Sequence, residues 1–266
     1  MPLHRSVLLA MLEAASAAGA AIMHYYPLPV QVDYKADHSP LTQADLAAHS
    51  RIVNRLQAFP WPLVSEESPT LPDPRQLRSY FLVDPLDGTR DFIKKNGEFT
   101  VNIALFLDQE LYAGVVLAPA GDRIYLGIKQ HGAWKSSLLH PDWQALQVRH
   151  KALGDVLSVG ISRHASGNED ALLSKLEENN TIMRHPRGSS LKIVEIAEGL
   201  LDFYPRNDVL MAWDTAAAQI VLEEAGGQML TLRGQRLRYG QQAHWHSEAF
   251  WALGNHPGID KAWLGI

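Results

Sequence analysis

The stretch Ser79-Tyr-Phe-Leu-Val-Asp-Pro-Leu-Asp-Gly-Thr-Arg-Asp91 decides how this chain folds and where its site lies. Residues 80–83 are apolar, aromatic or β-branched without polar alternation, which predicts a strand buried on both faces. Pro85 removes a backbone donor, so we expect the strand to stop at Asp84. That carboxylate would then lie where a sheet opens onto a ligand crevice.

A second carboxylate, Asp87, follows just before the Gly88-Thr89 turn. Two carboxylates on one kinked segment, with a backbone carbonyl between them, form an oxygen cluster that suits a hard divalent cation. An ordinary Asp-Pro-Gly turn after a strand remains the alternative. This stretch alone does not decide between a metal site and a turn.

The composition limits the classes of function. With 46% hydrophobic and 20% charged residues, the chain reads as a soluble globular protein, and its net charge of −5 argues against a broad nucleic-acid surface. A local basic pocket remains compatible with that charge. The chain has no cysteine, so a metal must be held by oxygen or histidine. This fits a reducing cytoplasm.

The N-terminus imitates a secretory signal, with Arg5 before an apolar run. Glu13 interrupts that run, and its apolar residues recur at helical spacing, so we predict an amphipathic helix over residues 4–26 of the mature fold. We expect no transmembrane segment, because no uninterrupted apolar stretch is long enough. The expected location is the cytoplasm, or the periphery of the inner membrane.

The rest of the chain alternates helix and strand signals. We predict one domain over residues 1–266, with a metal-binding half over about 1–155 and a substrate-recognition half over about 156–266. The first half contains a helix over 43–59 and an antiparallel meander. Its predicted strands are 99–107, 111–119, 123–128, 133–135 and 142–150. The second half contains strands 156–161, 182–184 and 201–204 and helices 168–178, 189–200 and 214–225.

Several acidic residues have two interpretations. Asp45 stands at the fourth position of a capping box that Thr42 opens, so it either caps a helix or belongs to a site. Glu66 and Glu67 end a short apolar segment, where a solvated turn is the alternative. Asp214 lies at the start of a predicted helix. On the simpler interpretation, it only caps the free N–H groups of that helix.

Taken together, these motifs resemble the lithium-sensitive, magnesium-dependent phosphatases typified by inositol monophosphatase, from the first helix to about residue 232. The matching motifs are Ser65-Glu-Glu-Ser68, Asp84-Pro-Leu-Asp-Gly-Thr89 and Trp213-Asp-Thr-Ala-Ala217. Other stretches resemble the bacterial 3′(2′),5′-bisphosphate nucleotidase branch. They are residues 35–45, 91–105, 188–192 and 204–206.

The resemblance implies an α/β fold in alternating α-β-α-β-α layers, as in fructose-1,6-bisphosphatase. It implies two or three Mg²⁺ ions held by Glu66, Asp84, Asp87 and Asp214, with the Leu86 carbonyl as a further ligand. It also implies direct attack of water on phosphorus without a phosphoenzyme, with Glu66, Asp45 and Thr89 as catalytic residues.

The substrate implied is adenosine 3′,5′-bisphosphate, a by-product of sulfate assimilation. The residues that would bind it are Glu66, Leu86, Asp87, Gly88, Thr89, His164, Ser189, Lys192, Arg206 and Asp214. In this set, N–H groups of Gly88 and Thr89 would hold the phosphate that is removed, and Lys192 and Arg206 would neutralise the second phosphate.

Two alternatives stay open. One is a phosphatase for inositol phosphates or another sugar phosphate, because metal motifs recognise only the transferred phosphoryl group. The other is a ligand-binding or RNA-associated regulator on the same fold, against which the intact carboxylate set and the acidic net charge argue. We expect a monomer or homodimer.

Overall fold

The computed structural model describes residues 2–35, 38–152, 154–163, 170–178 and 180–255. Its helices are α1 (Pro2–Tyr25), α2 (Gln43–Leu56), α3 (Thr89–Ile93), α4 (Asp170–Glu177), α5 (Leu191–Ala197) and α6 (Ala212–Glu224). Its strands are β1 (Val32–Tyr34), β2 (Pro40–Thr42), β3 (Leu63–Ser65), β4 (Tyr80–Asp87), β5 (Thr100–Leu107), β6 (Glu110–Ala118), β7 (Arg123–Ile128), β8 (Gly132–Ser136), β9 (Gln144–Ala145), β10 (Leu157–Ser162), β11 (Ile182–Arg187), β12 (Phe203–Arg206), β13 (Gln228–Thr231) and β14 (Phe250–Leu253).

These strands form two large sheets and a short β1–β2 pair. The larger sheet has seven strands, β3 to β9, in chain order. Only β3 and β4 are parallel in it, so the predicted antiparallel meander is confirmed. The smaller sheet has the order β11-β10-β12-β14-β13, with β10 parallel to both of its neighbours.

Alternate side chains of β4 point into two different layers, because a strand has a period of two. Phe81 and Val83 pack with α1 and α2, whereas Tyr80 and Leu82 pack with α5 and α6. The same helices reach the smaller sheet through residues such as Tyr204, and α4 covers the other face of that sheet. The predicted α-β-α-β-α layering is therefore confirmed.

Helix α6 lies directly against the backbone of the larger sheet. A Cβ atom at Gly114 would be 2.4 Å from the Ala217 carbonyl oxygen, and one at Gly127 would be 2.7 Å from the Val221 backbone. Only glycine permits that approach. The depth at which α6 meets the sheet is consequently set by backbone contact, and Asp214 lies in the first turn of this helix.

Helix α1 confirms the predicted first helix, and its small and apolar face is buried, including Met11, Ala15 and Ile22. Against the expectation of no transmembrane segment stands one weak candidate, by length and composition only. Residues Arg5–Tyr25 pass both criteria, the only helix among the described ranges to do so. A core helix of a soluble protein passes the same test, and α1 packs on α2 and the sheet.

Some predicted boundaries were wrong. Strand β4 continues past Pro85 to Asp87, because the pairing with β5 shifts register between Asp84 and Asp87 and no ladder bond from Pro85 is needed. The helix predicted over 189–200 covers only α5, and Leu200, assigned to its apolar face, is 51% exposed. The helical conformation ends at Gly199, which precedes Leu200 and has a φ of 74°.

The strand predicted over 142–150 reduces to the two residues of β9. Beyond it, Leu146 and Val148 donate single backbone hydrogen bonds to Ala133 and Ala225 instead of continuing one ladder. The two sheets divide the chain between β9 and β10. The division into two subdomains stays a prediction, since one core cluster combines residues of both sheets.

Candidate active site

Three carboxylates meet at one end of the larger sheet. Glu66 directly follows β3, Asp84 lies in β4 and Asp214 lies in the first turn of α6. The parallel pairing of β3 with β4 sets Ser65 opposite Val83, so the residues that follow emerge side by side. One oxygen from each of the three carboxylates lies within 4.8 Å of the other two. The structure thus brings together three of the predicted metal ligands.

Without a cation, burial and mutual repulsion make the charged form of this carboxylate cluster unfavourable. Burial raises the pKa of Asp84 well above its usual range, and repulsion by Glu66, Asp87 and Asp214 raises it further. Burial likewise raises the pKa of Asp214, with repulsion by Asp87 and Glu66 added. Buried like charges of this kind need compensation, and carboxylate oxygens are the ligands that Mg²⁺ prefers. The donor set therefore fits Mg²⁺.

Asp87 is not in this 4.8 Å group, although its charge acts on Asp84 and Asp214, and it has buried partners of its own. Its Oδ2 accepts the Ser190 N–H at 2.7 Å, and the Asn102 amide and Thr100 hydroxyl lie at 3.3 and 3.4 Å. Burial raises the pKa of Asp87 to about 6, although the charge of Lys192 opposes the rise. Its role as a metal ligand, like that of the Leu86 carbonyl, stays a prediction.

Asp45 caps α2 and also contacts Thr89, a residue that lines the cavity described below. Its Oδ2 accepts the Thr42 N–H at 2.8 Å and the Thr42 hydroxyl at 2.5 Å, which completes the capping box of α2. Its Oδ1 lies 3.1 Å from the Thr89 hydroxyl, which is also 3.2 Å from the Leu86 carbonyl. Burial raises the pKa of Asp45, against hydrogen bonds from Thr42 and Thr89 that lower it.

Lys35, which sequence reasoning did not single out, bridges the two adjacent glutamates. Its Nζ lies 2.6 Å from Glu66 and 2.7 Å from Glu67. The solvated interpretation of Glu67 was wrong, because its side chain is 5% exposed. Burial raises the pKa of Glu67 to about 6, despite the Lys35 ammonium. The contact joins residues 31 positions apart, so no local sequence signal reports it.

A cavity of about 570 Å³ adjoins the cluster. It is lined by predicted residues from both halves of the chain, namely Glu66, Asp87, Gly88, Thr89, Ser189, Lys192, Arg206 and Asp214. Leu86 is buried, at 2% exposure, and does not line the cavity. His164 lies outside the described residues. Arg90, Arg163 and Arg187 also line the cavity, and sequence reasoning missed all three.

The cations of the second half differ in their surroundings. Lys192 is buried, and its Nζ donates to the carbonyls of Ser189 at 2.7 Å and Arg187 at 3.1 Å. Burial lowers the pKa of Lys192 to about 8. The guanidinium of Arg206 lies 3.5 Å from the Asp208 carboxylate and keeps 12% of its side chain exposed.

Comparison with known proteins identifies the family. The sequence model of the inositol monophosphatase family matches residues 4–255, further than the resemblance to about residue 232 expected. The 3′(2′),5′-bisphosphate nucleotidase CysQ of Escherichia coli K12 is 39% identical, covering 85% of this chain and 91% of the relative. CysQ of Aggregatibacter actinomycetemcomitans is 35% identical, covering 87% of each.

Solved structures give the same picture. CysQ from Bacteroides thetaiotaomicron, described as a bacterial member of the inositol monophosphatase family, superposes with a TM-score of 0.81 at 32% identity. The match covers 92% of this chain and 96% of that one. An inositol monophosphatase from Zymomonas mobilis gives a TM-score of 0.76 at 22% identity, covering 98% and 97% of the two chains. The second likeness supports the fold alone.

Proposed function

The chain belongs to the inositol monophosphatase family and is a phosphatase, and from this premise we propose that it is a magnesium-dependent 3′(2′),5′-bisphosphate nucleotidase. Its reaction would convert adenosine 3′,5′-bisphosphate to AMP and phosphate. That reaction recycles a by-product of sulfate assimilation. We propose the cytoplasm or the periphery of the inner membrane as its location.

One observation carries the proposal. A single cavity is lined both by the carboxylates Glu66 and Asp214 and by cations that lie apart from them in sequence, among them Lys192 and Arg206. A monophosphate ester needs only one anion site. A bisphosphate needs a second, cationic subsite, and the guanidinium group can bind such a phosphate through two parallel hydrogen bonds.

The predicted metal ligands are Glu66, Asp84, Asp87, Asp214 and the carbonyl of Leu86. When bound there, magnesium would polarise the phosphoryl oxygens and stabilise the charge that develops on the leaving oxygen.

The chain supplies a proton path through Thr89 and Asp45. If the Thr89 hydroxyl donates to Oδ1 of Asp45, its oxygen is left with lone pairs that can accept a proton from the attacking water. The raised pKa of Asp45 makes it a stronger base than an exposed aspartate. N–H groups of Gly88 and Thr89 hold the phosphate. Gly88 adopts a φ of 90° in this turn.

A direct substrate comparison tests the proposal. The purified protein would be assayed with magnesium on adenosine 3′,5′-bisphosphate and on inositol 1-phosphate under the same conditions. We expect the larger kcat/KM for the nucleotide. A larger value for inositol 1-phosphate would overturn the proposal in favour of an inositol phosphatase.

A further inference from the structure

Ser189 has an unusual backbone and an unsatisfied side chain. Its φ is 46°, in the left-handed region that disfavours residues other than glycine, asparagine and aspartate. Its hydroxyl oxygen is buried and has no hydrogen-bond partner among the described residues, yet the residue lines the cavity. A strained residue with an unpaired buried hydroxyl at a cavity indicates a group held ready for a ligand.

Charged groups hold the backbone on both sides of Ser189. The Gly188 N–H donates to Glu98 at 2.7 Å, and the Ser190 N–H donates to Asp87 at 2.7 Å. The Ser189 carbonyl accepts from the Lys192 ammonium at 2.7 Å. Hydrogen bonds to ionised groups are about twice as strong as neutral ones, so three of them can offset the strain of one left-handed residue.

Glu98 is itself fixed in place. Arg163 donates to its two carboxylate oxygens from Nε and Nη2, at 2.6 and 2.8 Å. Burial alone would raise the pKa of Glu98. Hydrogen bonds from Arg163 and from Gly188 outweigh that effect and hold this pKa below its usual value. A Cβ atom at Gly188 would be 2.5 Å from the Glu98 carbonyl oxygen. The segment around Glu98 therefore sets the position of the turn directly.

We propose that Glu98 is a positioning residue for the substrate. It does not line the cavity, but it holds the turn that carries Ser189, which does. Asp87 anchors the same turn from the side of the metal ligands. Glu98 thereby sets how the hydroxyl donates to an oxygen of the bound phosphate ester. This inference rests on the proposed function, whose substrate it uses.

The test compares Glu98→Gln with a matched control, Glu110→Gln. Glu110 pairs with Lys129 at 3.3 Å at the far end of the β5–β6 hairpin. For adenosine 3′,5′-bisphosphate, we expect KM to rise about tenfold in Glu98→Gln, the cost of one misplaced hydrogen bond, with kcat changed far less. The control should match the wild type. An unchanged KM in folded Glu98→Gln would overturn the proposal.

A double variant separates positioning from general loss of structure. Ser189→Ala should raise KM to a similar extent, and adding Glu98→Gln should cost no more, because both act through one hydroxyl. Fully additive losses would contradict the inference. If Glu98→Gln does not fold, Glu98→Asp replaces it, and an unchanged KM there is equally decisive.

Failure of the proposed function would be recognised separately. In that case the wild-type protein itself would not hydrolyse the nucleotide. The same series would then be measured on inositol 1-phosphate, where a KM that is equal in the wild type and in Glu98→Gln would overturn the role of Glu98.

Discussion

The hydroxyl oxygen of Thr89 lies 3.1 Å from Oδ1 of Asp45, although 44 residues separate them in sequence. The other oxygen of the same carboxylate caps α2 through Thr42. The Asp45 side chain thus caps a helix with one carboxylate oxygen and contacts Thr89 with the other. Substitutions can separate the two roles.

The first prediction concerns Asp45→Asn. Asparagine caps a helix about as well as aspartate, so the thermal midpoint should change little. Turnover should fall by roughly a hundredfold or more, because the amide is no base. The measurement is kcat and Tm on one preparation, with Thr89→Val and the double variant beside it. Unchanged turnover would leave Asp45 with its capping role only, and fully additive losses would place the two residues in separate steps.

The second prediction concerns Asp84→Asn. Removing one buried charge relieves the repulsion that raises the pKa values of Asp84 and Asp214, so the metal-free protein should be as stable as the wild type or more so. The variant should lose most of the rise in Tm that magnesium gives the wild type, together with its activity. Thermal unfolding with and without magnesium measures this. Asp73→Asn, which alters an exposed pair with Arg75, is the control.

A magnesium response of Asp84→Asn equal to that of the wild type would contradict the assignment of this cluster as the metal site.

The third prediction concerns pH. Burial lowers the pKa of Lys192 from 10.5 to about 8, so between these values the unfolded chain binds the extra proton. Stability attributable to this residue should therefore rise with pH across that window, by up to about 3 kcal/mol. Urea unfolding of wild type and Lys192→Met at several pH values would measure the difference. Parallel stability curves for the two proteins would show that the amine titrates normally.

The fourth prediction concerns Arg206→Met. Arg206 lines the cavity, where we propose that its guanidinium neutralises the second phosphate. The kcat/KM for adenosine 3′,5′-bisphosphate should fall by about tenfold or more, as for a lost charge-assisted hydrogen bond, while that for inositol 1-phosphate changes little. Arg75→Met, which alters an exposed cation outside the cavity, is the control. Equal fractional losses on both substrates would assign Arg206 to folding or to the shared chemistry.

Local signals in the sequence predicted the strands, the helices and the segment ends that carry the carboxylates, whereas the family resemblance implied the layered fold and the grouping of those carboxylates. Buried strands show as apolar runs, and Glu66, Asp84 and Asp214 each stand at the end of a recognisable segment. The bridge from Lys35 to Glu66 could not be predicted in this way, because it depends on where two distant loops meet.

Other features depend on backbone details that residue type does not reveal. Nothing in the Gly188-Ser189 pair indicates that the serine, and not the glycine, takes the positive φ. The binding of Lys192 to carbonyl groups follows from that turn, so the sequence indicated only a cation near a phosphate site. The length of the strand predicted over 142–150 was overestimated, because a moderately apolar run does not specify which backbone carbonyl groups its N–H groups will bind.

The order of the layers along the chain has a consequence for biosynthesis. The larger sheet is complete at Ala145, but one of its faces is covered by α5 and α6, which end only at Glu224. During translation, the face that contains Leu82 and Phe106 has emerged well before its covering helices are made. The nascent chain consequently carries an exposed apolar surface at this stage, which is where it is most prone to aggregate and most in need of a chaperone.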